Sequence, residues 1–192
     1  MNTPIAGVIL AGGKSSRMGG NKALMSYHGE RLIDYIANTL KDAQVPVFVS
    51  GIITPYICIP DLISDIGPLG GIISSVDYLL TRSIRLAIFV PVDMPCIKAP
   101  LLSRLINSWN MQDAIHYHNH PLPLLLHFSP RVIRILGDLK ENHIRDRSIK
   151  GFVKQLHSYA CSVDDAEKIE LTNVNTPEEW QKIQEVTAND KY

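Results

Sequence analysis

The sequence predicts a three-layer α/β architecture, a mostly parallel central sheet with helices on both faces. Three observations carry this. Apolar runs alternate with segments of helical periodicity. The strongest apolar run, Ile84 to Val92, is continuous rather than alternating, as in a strand buried on both faces. A glycine-rich stretch and a lone aspartate each follow the end of an apolar run, where ligands gather in open α/β sheets.

The elements follow in order. Ile5 to Leu10 reads as a buried first strand. Arg31 to Ala43 carries Leu32, Ile33, Ile36 and Leu40 at helical spacing, and Val45 to Ser50 reads as a second strand. Residues 51–69 are rich in Pro and Gly, a connection with a short extended piece at Ile57 to Ile59. Gly70 to Arg82 places Ile72, Ile73, Val76, Leu79 and Leu80 on one helical side before the central strand. Leu101, Leu102, Leu105, Ile106 and Trp109 make the next amphipathic helix. In the second half, Ala114 to Tyr117, Leu124 to Phe128 and Tyr159 to Val163 read as strands. Pro130 to Asn142 and Ser148 to Leu156 read as helices, and Leu171 to Val174 as a short extended piece. The last helix opens at Thr176-Pro177-Glu178-Glu179: Thr176 caps, Pro177 suits the first turn and Glu179 completes a capping box. The 192 residues suffice for one domain over the whole length, and the last few residues are expected to be disordered.

Composition narrows the function. Hydrophobic residues make up 45% and charged residues 20%, ordinary for a globular chain. Lys+Arg and Asp+Glu are both 19, so no global field draws the chain to nucleic acid or anionic membrane. No apolar run is long enough to span a membrane, and the N-terminus does not read as a signal peptide. Cys58, Cys96 and Cys161 are widely spaced and odd in number, which suggests no disulfide framework; a reducing cytoplasm is the simplest setting.

The stretch Leu10-Ala11-Gly12-Gly13-Lys14-Ser15-Ser16-Arg17-Met18-Gly19-Gly20-Asn21-Lys22 leaves the first strand with four glycines, three cations and two serines. Glycines let backbone N–H groups approach an anion, and Arg and Lys neutralise it. A plain turn would explain Gly-Gly but not Arg17 and Lys22 as well. The G-x-x-x-x-G-K-[ST] phosphate loop misses by one residue in either register, and G-x-G-x-x-G is absent. The second candidate is Asp93 in Val90-Pro91-Val92-Asp93-Met94-Pro95. It follows the central strand, with prolines expected to keep the chain extended on both sides. An isolated carboxylate there suits Mg²⁺, which takes one or two carboxylates plus substrate phosphates; the alternative is a turn or capping Asp.

The pattern L-A-G-G-x-S-x-R-M-G-x-x-K resembles the signature loop of nucleotidyltransferases, and D-x-P after a hydrophobic strand resembles their metal-binding motif. Gly67-Pro68-Leu69-Gly70-Gly71-Ile72, His120-Pro121-Leu122-Pro123-Leu124 and Asn173-Val174-Asn175-Thr176-Pro177-Glu178-Glu179 narrow the likeness. Together they resemble the molybdenum cofactor guanylyltransferases, from Gly7 to about Ile183. The resemblance implies a Rossmann-like nucleotide-diphospho-sugar transferase fold and Mg²⁺-dependent transfer of GMP from GTP to the terminal phosphate of molybdopterin. It implies that Leu10, Ala11, Gly12 and Gly13 lie against GTP with Lys22, that Asp61 meets guanine, and that Asp93 binds nucleotide and Mg²⁺. Arg17, Lys22 and Asp93 would be catalytic. Asp65 is a rival to Asp61, and Ser50-Gly51 stands where many members have Asn. Transient contacts with cofactor-insertion proteins and apo-molybdoenzymes are implied as well. A related cytidylyl- or sugar-phosphate nucleotidyltransferase, or a non-catalytic GTP or pterin carrier, are the alternatives.

Two further signals are weaker. His116, His118 and His120 alternate, so one strand would carry them on one face; with no Cys partner and Pro121 following, zinc is disfavoured. The resemblance puts His120 and Pro121 in a stretch used near the pterin. Arg145-Asp146-Arg147 and Lys150 form a basic cluster, either a solvated helix start or a contact for the molybdopterin phosphate. Trp109 and Trp180 are expected to pack helices rather than stack on a base.

Overall fold

The computed structural model describes residues 3–12, 21–61, 63, 66–141, 143–144 and 146–188. The last few residues, expected to be disordered, lie outside the described residues. Seven strands form one sheet: β1 (Ile5–Leu10), β4 (Val47–Ser50), β5 (Ile57–Ile59), β6 (Leu86–Pro91), β7 (Ala114–Tyr117), β8 (His120–His127) and β9 (Ser158–Cys161). A two-stranded ribbon, β2 (Ser26–Tyr27) with β3 (Glu30–Arg31), stands apart. The sheet order is β5-β4-β1-β6-β8-β7-β9. β8 runs antiparallel to both its neighbours, and every other pairing is parallel.

The helices are α1 (Leu32–Asp42), α2 (Pro68–Leu80), α3 (Ala99–Asn107), α4 (Pro130–Lys140), α5 (Ile149–Val153) and α6 (Pro177–Ala188). The β1-α1-β4 crossover moves one way along the sheet and β5-α2-β6 returns the other way. Right-handed connections therefore put α1 and α2 on opposite faces. α3 packs with α1, and α4 reaches α2 through Lys140 and Asp77 at 3.0 Å. The three layers expected from the sequence are present. The core sits on both faces of β1 and β6, where Val8, Ile9, Ile88, Phe89 and Val90 are fully buried. The continuous apolar character of the central strand thus has its physical reason: neither face of β6 meets water.

The final helix starts as expected. Thr176 Oγ1 accepts from the Glu179 amide at 3.2 Å, and Glu179 Oε2 accepts from the Asn175 and Thr176 amides at 2.6 and 3.1 Å.

Several boundaries differ. β8 begins at His120, four residues before the expected Leu124, because its first half pairs with β7 across a hairpin despite Pro121 and Pro123. The β7–β8 register slips between Ile115 and Tyr117, which accommodates the prolines where a regular ladder would need their N–H groups. His118 and Asn119 form the hairpin turn, Asn119 at φ 65°, so His116, His118 and His120 do not share one strand. α5 is shorter than the expected Ser148–Leu156, and Leu171 ends a 3-10 turn (Glu167–Leu171) instead of opening an extended piece. Asp93 lies in a turn that begins straight after β6, not in extended chain.

No helix of the described residues is long and apolar enough to cross a membrane. No disulfide joins the three cysteines.

Candidate active site

Parallel strands β4, β1 and β6 end side by side, Leu10 opposite Ser50 on one flank and Pro91 on the other. Loops leaving these ends converge above them. The Ala11 amide donates to Ser50 O at 3.1 Å, and the Val92 amide donates to Leu10 O at 3.2 Å. The chain after β1 and the chain after β6 are thereby tied to the same rim. A cavity of about 250 Å³ opens there, walled by Leu10, Ala11 and Gly12 on one side and Pro91, Val92 and Asp93 on another. Gly67, Pro68, Leu122, Lys22, Asn173 and Asn175 complete it.

Lys22 opens a 3-10 turn (Lys22–Leu24) whose start is capped by Asn21, Oδ1 accepting from the Ala23 amide at 3.1 Å. Its ammonium donates to Val174 O at 2.7 Å and to Asn175 Oδ1 at 3.0 Å, and lies 3.9 Å from Asp93 Oδ2. Three oxygens from two distant chain segments thus fix one cation, whose side chain is only 13% exposed.

Asp93 is held from the other side. Asn173 Nδ2 donates to its Oδ1 at 3.3 Å, and the Val174 amide donates to its backbone carbonyl at 2.9 Å. Burial pushes the Asp93 carboxyl above its ordinary range; Lys22, a backbone amide and Asn173 oppose that shift without cancelling it. A carboxylate so poorly solvated gains from a further cation. Among the described residues no cluster of three His, Cys, Asp or Glu side chains could hold a metal unaided. A single buried carboxylate such as Asp93 fits a hard cation that draws its other oxygens from a phosphate ligand, as Mg²⁺ does.

Asp61 lies where β5 leaves the sheet. Its Oδ1 accepts from the Ile63 amide at 3.2 Å and from Ser74 Oγ, on α2, at 3.4 Å. A Cβ on Gly12 would stand 3.6 Å from Asp61 Oδ2, so this carboxylate faces the same glycine loop as the lysine site. α2 is preceded by its N-cap Gly67, whose φ of 59° suits glycine. Its first turn presses on the sheet: a Cβ on Gly71 would meet Ser50 Oγ at 2.5 Å. Ser50 is 1% exposed under that turn, so it faces the helix and not the cavity.

The structure thus brings Leu10, Ala11, Gly12, Lys22, Asp61 and Asp93 to one rim. Gly13 and Arg17, and the rest of residues 13–20, lie outside the described residues, as do Asp65 and Arg145. Sequence reasoning quoted Asn173 and Asn175 only as family markers; they prove to be direct partners of Asp93 and Lys22. The readable signal was their place, immediately before the capping box of α6.

The histidines gather elsewhere. His116, His118 and His120 line a second cavity of about 280 Å³ with Lys150, Lys154 and Pro121, one residue along the chain from Leu122 of the first cavity. His116 Nδ1 donates to Tyr117 O at 2.8 Å. Trp180 packs on Tyr27, with ring centroids 5.6 Å apart, and Trp109 on His127 at 5.3 Å.

An open, mostly parallel sheet with a lysine–carboxylate pair beside a glycine-bearing loop has its site at the carboxyl rim, where ligands bind in open α/β sheets. Comparison with known proteins is specific. The family model described as MobA-like NTP transferase domain matches residues 7–159, and the chain belongs to that family. The molybdenum cofactor guanylyltransferase of Xanthomonas euvesicatoria pv. vesicatoria is 34% identical over 184 residues, covering 95% of this chain and 96% of the relative. That of Yersinia pseudotuberculosis serotype O:1b is 32% identical over 196 residues, covering 92% and 93%. Among solved structures, molybdopterin-guanine dinucleotide biosynthesis protein A from Archaeoglobus fulgidus superposes with a TM-score of 0.76 at 21% identity, over 96% of this chain and 99% of that one. The 4-diphosphocytidyl-2C-methyl-D-erythritol synthase of Anaerococcus prevotii superposes with a TM-score of 0.71 at 8% identity, covering 97% and 99%. At such identities the superpositions speak for the fold.

Proposed function

We propose that this chain is a molybdenum cofactor guanylyltransferase, acting as one nucleotidyltransferase domain in the cytoplasm. It transfers GMP from GTP to the terminal phosphate of molybdopterin. A terminal phosphate oxygen of molybdopterin forms a bond to the α-phosphorus of GTP, the bond to the β-phosphate bridge breaks, and pyrophosphate leaves. The observation that carries this reading is the meeting of Lys22 and Asp93 at 3.9 Å beside the glycine loop.

Each residue has a task that its surroundings support. Leu10, Ala11, Gly12 and Gly13 lie against GTP; the Ala11 amide is already taken by Ser50 O, so amides that cradle the triphosphate begin at Gly12. Lys22 is already fixed by Val174 and Asn175, so it meets developing phosphate charge with little reorganisation. Arg17 adds the second cation. Asp61, steadied by Ser74, accepts from guanine. Asp93 would hold Mg²⁺, which when bound supplies charge neutralisation at the α-phosphate. The nucleophile is already an anion near neutral pH, so no side chain is needed as general base. The cavity of His116, His120, Lys150 and Lys154 lies toward the acceptor side, and its nitrogens suit a phosphate-bearing pterin. The finished product would pass on through transient contacts with cofactor-insertion proteins and apo-molybdoenzymes.

The test is pyrophosphate release from GTP, molybdopterin and Mg²⁺, with CTP, UTP and ATP as competitors. Release with GTP preferred, abolished by a chelator and restored by Mg²⁺, is expected. Preference for CTP would assign a cytidylyltransferase, and tight GTP binding without release would assign a carrier.

A further inference from the structure

Glu170 is an anomaly among the acids of this chain. It is 9% exposed, at the end of the 3-10 turn Glu167–Leu171, and its Oε2 is buried with no hydrogen-bond partner among the described residues. Carboxylates are rarely placed so deep without a compensating purpose. Its Oε1 lies 4.0 Å from Lys98 Nζ, and the Lys98 backbone amide also favours its charged form. Burial raises its pKa against both influences.

The position explains more than the charge. Lys98 ends the loop that begins at Asp93, whose intervening Met94, Cys96 and Ile97 are buried. Glu170 begins the run that continues through Leu171 to Asn173, Val174 and Asn175. The two segments meet again at the active site, where Asn173 and Val174 bind Asp93, and Val174 and Asn175 bind Lys22. The turn itself is fastened to α3 by Arg104, whose guanidinium makes a two-pronged contact with Glu167. Glu170 is therefore the lower fastening of two strips of chain whose upper fastening is the catalytic constellation.

We propose that Glu170 is a positioning residue for nucleotidyl transfer: buried against the Lys98 end of the Asp93 loop, it sets the spacing between that loop and the Asn173–Asn175 segment. The role rests on the guanylyltransferase reading. Glu170 touches neither substrate nor reacting atoms, and its influence reaches Asp93 and Lys22 only through the two strips.

The experiment compares the full chain with Glu170→Ala and Glu170→Gln. Steady-state kinetics with GTP and molybdopterin is read beside amide hydrogen exchange. Glu170→Ala should lower kcat about tenfold with little change in KM for GTP, the signature of misplacement rather than lost binding. Exchange at the Val174 amide should quicken, while β1 amides keep their protection. Glu170→Gln retains an oxygen acceptor for Lys98 and should recover most of the loss in both readouts. A kcat within twofold of wild type in Glu170→Ala would overturn the proposal. So would exchange that rises uniformly across the sheet, with activity per folded molecule unchanged. Should the wild-type chain release no pyrophosphate from GTP and molybdopterin, a selective response at Val174 would still uphold the latch, and the guanylyltransferase reading alone would fall.

Discussion

Lys22 sits among three oxygens, the Val174 carbonyl, the Asn175 amide oxygen and the Asp93 carboxylate. A flexible lysine held this way has its rotamer freedom removed before substrate arrives, so its charge is aimed at the cavity in advance. Lys22→Ala should lower kcat by about 10²–10³, the loss expected for one charge-stabilising donor. The measurement is steady-state pyrophosphate release, beside a melting curve that shows the variant folded. Asp93→Ala should abolish Mg²⁺-dependent release altogether; an active variant would remove the metal assignment. These two side chains were legible in the sequence because each belongs to a pattern, Lys22 closing the glycine loop and Asp93 opening D-x-P. Glu170 was not. It stands in the charged stretch Asp164 to Glu170, where nothing distinguishes a buried acid from its solvated neighbours. It is buried together with Leu171 and Val174, which follow it.

The same division holds for elements. α1, α2 and α3 carry strong apolar stripes and were readable to within two residues or so of their ends. β8 was legible only in its apolar half, since Pro121 and Pro123 read as breakers until the hairpin with β7 is seen. Two elements yield tests. The first turn of α2 lies so close to the β5 exit that a Cβ on Gly70 would stand 2.6 Å from Ile63 O and 3.2 Å from Asp61 Oδ1. Backbone cannot yield as a side-chain end can, so Gly70→Ala should displace Asp61 and raise KM for GTP several-fold, more than it changes kcat. The start of α1 is fastened by Asp34. It accepts from Arg31 Nε at 2.6 Å, Arg31 Nη2 at 2.8 Å and Tyr56 Oη at 2.6 Å, while Arg31 Nη1 reaches Thr54 O at 3.1 Å. The Arg31 hydrogen bonds hold the Asp34 carboxyl below its ordinary range, with Tyr56 assisting against burial. The folded state therefore releases this proton more readily than the unfolded chain, whose Asp titrates near about 3.9. Its stabilisation is fully present above that value and is lost as pH falls through the lower folded value. Asp34→Asn should melt a few degrees below wild type at pH 7, and the gap should close as both are measured toward pH 2. A gap independent of pH would show that the ion pair contributes nothing.

Across the whole molecule, strand order determines what can meet. Putting β1 and β6 side by side joins residue 10 to residue 92 at one rim, and the chain beyond β9 returns to lay Asn173 and Asn175 over them. The 3-10 turn Glu167–Leu171 that leads into this return is tied to α3 by Arg104 and Glu167. β8 and β7 extend the sheet on the far side, where the hairpin separates the lysine–carboxylate cavity from the histidine-lined one. On the proposed reading, nucleotide would lie over the β4, β1 and β6 ends and acceptor toward β8 and β7. The most direct measurement is a crystal of the chain soaked with GTP and Mg²⁺. Triphosphate oxygens within hydrogen-bond reach of Lys22 Nζ, a cation on Asp93, and guanine beside Asp61 at the first turn of α2 are expected. Nucleotide bound elsewhere, with no phosphate beside Lys22 and no cation on Asp93, would contradict this placement.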